Sequence, residues 1–313
     1  MSSIQHTIIE ELHTLRDVLR WTTSQFNAEE LFYGHGNDDA FNDALQLILH
    51  SLYLPSTELP ELFMDARLTH AEKQAIADLI ECRITDRVPV PYLTHEAWFA
   101  GLVFYVDERV LIPRSPFAEL IQQQFMPWIS NPNSICNILD LCTGSGCIAI
   151  ACAEAFPDAL IDAIEISQDA LDVANININK YDLSEQVHTI QSDCWSSLNK
   201  QKYDLIVSNP PYVGKDEMAT LPAEYRHEPV SALEAEDNGL ALVEKILLGA
   251  AKFLTPNGML FVEVGNSDIA VMKKWPKTEF LWLDFDNGGH GVFLLSQKQC
   301  VEFSQRYKYT QIT

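Results

Sequence analysis

Basic side chains are scarce in this 313-residue sequence: 21 lysines and arginines stand against 44 aspartates and glutamates, a formal net charge of −23 at neutral pH. Nucleic-acid binding draws much of its affinity from lysine and arginine displacing counterions from phosphates. So acidic a chain suits a basic protein partner, whose encounter its field speeds, better than a DNA or RNA backbone. Net charge does not speak to local patches. No apolar run approaches the roughly 18 residues needed to span a bilayer. The opening MSSIQHTIIEELHTLRD has no basic stretch followed by a hydrophobic one, so nothing in it reads as a secretory signal. A cytoplasmic protein with no membrane partner is expected. The seven cysteines never fall in a C-x-x-C pattern; Cys142, Cys147 and Cys152 are five residues apart. That spacing fits no common zinc site. No metal is expected, and the thiols read as small buried apolar groups in a reducing compartment. Internal repeats and low-complexity runs are missing too. With 47% hydrophobic residues the chain can fill about two domains.

Residues 1–92 read as a helical domain, with 15 acidic and 6 basic residues and hence −9 of the total charge. Ile8, Leu12, Leu15 and Leu19 recur at helical spacing. A second stripe, DAFNDALQLILHSLYLP, stops at Pro55. A third helix opens with Thr69 and Glu72, a capping-box spacing in which each side chain satisfies a backbone N–H. YGHG, Tyr33 to Gly36, reads as a turn between helices, and Pro89 and Pro91 as the end of the helical part. Residues 93–113 read as a linking β-hairpin, with LVFYV and RVLIP joined at Asp107–Glu108. From 114 to 313 strands and helices alternate. ICNILDL, LIDAIEI, VHTIQSD and YDLIVS are nearly continuous apolar strands, as expected for a parallel α/β sheet covered on both faces. Near the end, EFLWLDFD and HGVFLLSQ are separated only by NGG, which forces antiparallel pairing.

The first strand of this region runs into DLCTGSGCIAI. Gly144 and Gly146 let backbone approach a ligand closely, and the following helix offers free N–H groups to an anion. Glu165 ends the next strand, where an acid can accept both hydrogens of a ribose diol. Together these predict a mononucleotide-type site. Gly144, Gly146 and Ala149 also satisfy the permissive dinucleotide pattern G-x-G-x-x-A, so a nicotinamide enzyme is a competing reading of this motif. Asp193, after the third strand, is placed to hold an adenine amino group or to be a solvated loop carboxylate.

The fourth strand ends in SNPPYVG, Ser208 to Gly214. In such folds this strand neighbours the first, so Asn209 should face the bound nucleoside across the switch-point crevice. A planar amino group conjugated to a carbonyl is a poor nucleophile with two in-plane hydrogens. The Asn209 side-chain oxygen can accept one hydrogen and the Pro210 carbonyl the other. Pro210 and Pro211 add no competing N–H and stiffen the corner, while Tyr212 packs on the flat group. This aims the nitrogen at an electrophile, and proximity supplies much of the rate. The matching electrophile is a sulfonium methyl. Hydride transfer has no use for such an elbow.

DLCTGSG, AIEIS, SNPPYV, EYRHEP and EVGN, in that order, resemble the class I S-adenosylmethionine methyltransferases that modify glutamine side-chain amides in proteins. The resemblance covers nearly the whole chain. It implies a mostly parallel, Rossmann-like seven-stranded sheet with a terminal antiparallel hairpin, after a small helical substrate-recognition domain. YGHG, VPVPYLT and VLIPRSPFAELI are similar to the branch acting on large-subunit ribosomal protein three. The branch acting on release factors usually has a second proline where this chain has Ser115. The implied cofactor is S-adenosylmethionine. Cys142, Thr143, Gly144, Ser145 and Gly146 would hold its methionine part, Glu165 its ribose, and Asp193 and Cys194 its adenine, with Asn209 alongside. Asn209, Pro210, Pro211 and Tyr212 would hold the glutamine amide, and Phe99 would line the reaction centre. The implied partner is a basic ribosomal protein, met free or in an assembly intermediate. Cys142 stands where the wider family often has a glycine, so the turn is expected to form without a positive φ there. RHEP, Arg226 to Pro229, reads either as closing the acceptor channel or as an ordinary ion-paired loop. Base amino groups in RNA or DNA pose the same geometric problem, but they require a base to be flipped from its stack and a grip on phosphates.

Overall fold

The computed structural model describes residues 2–55 and 61–307. The chain divides into two compact units, Met1–Ala97 with Pro222–His227, and Trp98–Leu221 with Glu228–Thr313.

The first unit is helical, with principal helices α1 (Leu15–Ala28), α2 (Ala40–Ser51) and α3 (His70–Glu81). Each starts on a side-chain cap. Thr14 and Thr69 form capping boxes with Asp17 and Glu72, and Asp39 accepts the Asn42 N–H; such caps contribute about 1 kcal/mol each. The stripe from Ile8 to Leu19 does not lie on one helix. Leu12 is extended (φ −95°, ψ 141°) and Thr14 restarts the helix, although all four apolar residues are buried. Pro89 does not end the helical part either. It caps a short helix, Val90–Thr94, with Pro91 in the first turn, where a missing N–H costs nothing. YGHG lies in the connection between α1 and α2, where His35 is buried with its ring 4.6 Å from that of Tyr225.

Tyr225 belongs to a six-residue excursion, Pro222–His227, folded into this unit. Arg83, only 1% exposed, holds it there. The guanidinium meets Glu224 at 3.3 Å and Asp43 at 3.1 Å and donates to the Phe32 carbonyl. Glu224 in turn accepts the Phe32 N–H at 3.0 Å.

After the helix Val90–Thr94 comes a two-stranded sheet, β1 (Ala97–Phe99) and β2 (Leu102–Phe104). This is not the hairpin expected at Asp107–Glu108. The reversal falls at Ala100 and Gly101, both at positive φ (50° and 86°), which suits a tight two-residue turn. Asp107 instead accepts hydrogen bonds from Tyr105 and Arg109.

The main sheet contains β3 (Asn137–Leu141), β4 (Leu160–Glu165), β5 (Val187–Gln191), β6 (Tyr203–Ser208), β7 (Leu254–Glu263), β8 (Leu281–Trp282) and β9 (Val292–Ser296). Its order is β5-β4-β3-β6-β7-β9-β8. β3 to β7 are parallel, and β9 runs antiparallel to both β7 and β8. This is the expected mostly parallel seven-stranded sheet with an antiparallel end. Successive residues of one strand serve opposite faces. Leu205 and Val207 pack with α4 (Cys147–Ala155), while Ile206 packs with α5 (Ala241–Ala250). β3 lies between β4 and β6, so the chain leaves it in opposite directions and opens a crevice at their carboxyl ends. Among the described residues no helix is long and apolar enough to cross a membrane, and no cluster of His, Cys, Asp or Glu could hold a metal ion.

Candidate active site

The loop after β3 fills one side of this crevice. Gly144 and Gly146 take left-handed φ values of 54° and 81°, and so does Cys142 at 65°. The turn therefore uses a positive φ where the sequence has no glycine, contrary to expectation; that conformation costs a non-glycine residue about 1–2 kcal/mol. The strain is held by the surroundings. The Thr143 N–H donates to the Ile164 carbonyl, and the Thr143 hydroxyl to Asp140 at 2.6 Å. Asp140 also accepts the Ala149 N–H from the first turn of α4. It is fully buried without a cationic partner in these bonds, and burial pushes its carboxyl up to about 7. Asn177 donates to the Ser145 carbonyl from the other side. Gly146 has a packing reason as well, since an added Cβ would sit 3.2 Å from that of Ala174. At Gly144 the same position meets nothing within 4 Å.

Glu165 closes β4 and is fixed by backbone. It accepts N–H groups from Gly144 (3.2 Å), Ile166 (2.9 Å) and Ser167 (3.2 Å). Asp193, largely exposed, pairs with Lys245 at 2.6 Å, and Cys194 beside it is buried at a φ of 57°.

The elbow after β6 fills the other side. Ser208 donates to the Leu141 carbonyl and joins the two strand ends. Tyr212 is held at several points. Its hydroxyl donates to Glu263 Oε1 (3.0 Å), and its carbonyl accepts from the Ser267 hydroxyl (3.0 Å). A Cβ at Gly239 would lie 2.0 Å from the Tyr212 carbonyl oxygen, and one at Gly265 would lie 2.7 Å from its ring. Only glycine at these two positions leaves room for the tyrosine. Glu263 is buried at the end of β7 and also accepts the Ser115 hydroxyl at 2.5 Å. Burial raises its carboxyl to about 7 despite those two hydroxyls and the charge of Arg114.

A cavity of about 310 Å³ joins the loop to the elbow. Cys142, Thr143, Gly144, Ser145, Glu165, Asp193 and Cys194 line it, and Asn209 and Pro211 enter from the elbow. Gly146, Pro210 and Tyr212 are not among its lining residues. Phe99 lies apart from it, buried in the core with its ring 6.4 Å from that of Phe104. The remaining wall includes Arg109, Arg114, Ser115 and residues around Glu234. Arg114 grips buried Glu228 with two bonds of 2.6 Å, and Glu228 also accepts the Ile112 N–H. RHEP is thus split: His227 bonds the Asp86 carbonyl in the helical unit, while Glu228 belongs to the second unit and holds Arg114 of the cavity wall. The sequence reading assigned no role to Asp140, Ser115 or Glu263. The signal at Asp140 and Glu263 is a carboxylate set in an otherwise apolar run.

Comparison with known proteins agrees with this geometry. Residues 123–225 match the family model described as methyltransferase small domain. The ribosomal protein uL3 glutamine methyltransferase of Francisella tularensis is 47% identical over 304 residues, 97% of this chain and 96% of that protein. The protein of the same name from Neisseria gonorrhoeae is 48% identical over 290 residues, 93% and 96% of the two chains. Identity at that level, over nearly the full length of both relatives, is decisive: the chain belongs to the family of ribosomal protein uL3 glutamine methyltransferases.

Proposed function

We propose that this methyltransferase carries a methyl group from S-adenosylmethionine to the side-chain amide nitrogen of a glutamine in ribosomal protein uL3. The observation that carries the reading is that Asn209 enters the same cavity as the glycine loop and Glu165. The residues present fit the cofactor. The open space at Gly144 admits a ligand against backbone, and the two long 3.2 Å bonds to Glu165 leave its carboxylate open to competition from a ribose diol. When bound, S-adenosylmethionine supplies a methyl carbon on a positively charged sulfur.

The chain's own part is orientation. Asn209 Oδ1 accepts one amide hydrogen and the Pro210 carbonyl the other, so the glutamine nitrogen lies in one plane with its π face directed into the cavity. Neither proline offers a competing N–H. On receiving that methyl the amide nitrogen would become acidic and would lose one of the hydrogens held by Asn209 and Pro210 as a proton to solvent, leaving a neutral secondary amide. The helical unit, acidic as read from the sequence, would recognise the basic substrate, and the chain's charge of −23 favours that encounter.

The test is incubation of the protein with methyl-labelled S-adenosylmethionine, unmodified uL3 and ribosomal RNA. Label on a uL3 glutamine, with a mass increase of one methylene, supports the reading. Label in RNA, or in a release factor in preference to uL3, overturns the substrate assignment.

A further inference from the structure

Tyr212 and Asn209 are the ends of a four-residue arm whose middle is two prolines. Each proline ring locks its own φ near −65°, so the arm has few soft torsions and what fixes one end limits the other. The Tyr212 end is unusually well fixed, by Glu263, by Ser267 and by the space left at Gly239 and Gly265. Glu263 is the centre of this arrangement. One of its oxygens takes the Tyr212 hydroxyl, and the other takes the hydroxyl of Ser115, a residue of the cavity wall. Ser115 also accepts the Phe117 N–H at 3.1 Å, which anchors it to the start of the helix Phe117–Gln122. A continuous set of bonds therefore runs from that helix through Ser115 and Glu263 to Tyr212.

We propose that Glu263 is a positioning residue for methyl transfer: by holding the Tyr212 and Ser115 hydroxyls on its two oxygens, it ties the far end of the elbow to the cavity wall and keeps Asn209 aimed into the cavity. The inference rests on the reading of the elbow as the grip on the acceptor amide. Glu263 is not among the residues that line the cavity. Its effect falls on kcat, because loosening the arm misplaces Asn209 without altering the loop that holds the cofactor. Among the described residues this buried carboxyl has no salt-bridge partner and is bonded to two hydroxyls, a costly feature in a core, and its place behind the elbow gives it a reason.

The experiment compares the full-length wild type with Glu263→Ala, Glu263→Gln, Tyr212→Phe and the Glu263→Ala/Tyr212→Phe pair, in steady-state methylation of uL3 and in S-adenosylhomocysteine binding. Glu263→Ala is expected to lower kcat about 10- to 100-fold, with the KM for uL3 and S-adenosylhomocysteine affinity within about threefold. Glu263→Gln, which keeps the shape and can still bond both hydroxyls, restores most of the rate. The double variant is no slower than the worse single one, because both changes cut the same tie. Losses that multiply in the double variant, a glutamine as poor as alanine, or affinity that falls with kcat would overturn the inference. If Glu263→Ala fails to fold, Tyr212→Phe and Ser115→Ala decide: lowered kcat with retained S-adenosylhomocysteine affinity supports it, and full activity in both overturns it. A wild type that leaves uL3 unlabelled contradicts the substrate reading, and this inference with it. An active wild type whose variants depart from these outcomes contradicts this inference alone.

Discussion

Glu224 in the helical unit and Glu263 in the catalytic unit are almost equally buried, at 2% and 4% exposed, yet their surroundings are opposite. Burial works against ionisation of both. At Glu224 the Phe32 N–H and the Arg83 guanidinium more than offset it and hold the carboxyl below the usual range. At Glu263 the direct partners are two neutral hydroxyls, and burial wins, pushing the carboxyl up to about 7. The first arrangement is a buried ion pair with Arg83 that fastens Pro222–His227 to its helices. The second leaves a carboxyl poised near neutrality behind the elbow. A buried acid matched by a buried base reads as architecture; one left to hydroxyls beside a cavity reads as part of a site.

The contrast predicts different failures. The largest is at Arg83: Arg83→Ala strands Asp43 and Glu224 in the core, and uncompensated buried charge costs about 3–5 kcal/mol. Denaturant unfolding followed by helix signal should show that loss; a cost under about 1 kcal/mol would mean the pair contributes little.

Next is a pH effect at Glu263, whose carboxyl is raised from an ordinary 4.5 to about 7. Between those values the folded protein keeps a proton that the unfolded chain has released. This contribution to stability is therefore complete below pH 4.5 and is lost as pH rises through 7, about 3 kcal/mol in all. Asp140 acts in the same direction. Unfolding midpoints of the wild type should fall from pH 5 to 8, and Glu263→Gln should fall less steeply. Equal slopes would remove Glu263 from the account.

Asn209→Ala should lower turnover by about 10²-fold, since it removes an orienting acceptor, while stability and S-adenosylhomocysteine affinity stay near wild type. Stopped-assay kinetics beside calorimetry separate the two effects. The smallest change is Thr69→Ala, which deletes the α3 cap far in sequence from the site. It should cost about 1 kcal/mol in thermal unfolding and leave kcat alone.

Much of the catalytic unit was legible in the sequence because its signals are local. An apolar strand, a glycine turn, a helix and a strand-end acid fall in consecutive order, and the sheet order that brings Asn209 to the loop follows from that alternation. What escaped depends on contacts between distant segments or on competing local signals. Arg83 and Glu224 are 141 residues apart, and Ser115 and Glu263 are 148 apart. No local pattern pairs them. The reversal at Ala100–Gly101 lost to the more conspicuous Asp107–Glu108, although a glycine in a short turn is the stronger signal. The break at Leu12 was hidden because apolar spacing reports burial, which held, and not continuity, which Thr14 interrupts. Cys142 shows the limit of residue propensity: the hydrogen bonds of Thr143 and the packing of the loop impose a left-handed turn that a cysteine would not choose.

The most direct measurement of the central claim is a crystal structure with S-adenosylhomocysteine and a glutamine-containing uL3 peptide. The account predicts the product's sulfur in the cavity between Gly144 and Asn209, with the glutamine nitrogen within hydrogen-bond distance of both Asn209 Oδ1 and the Pro210 carbonyl. A peptide amide that sits away from that corner while the product fills the cavity would contradict it.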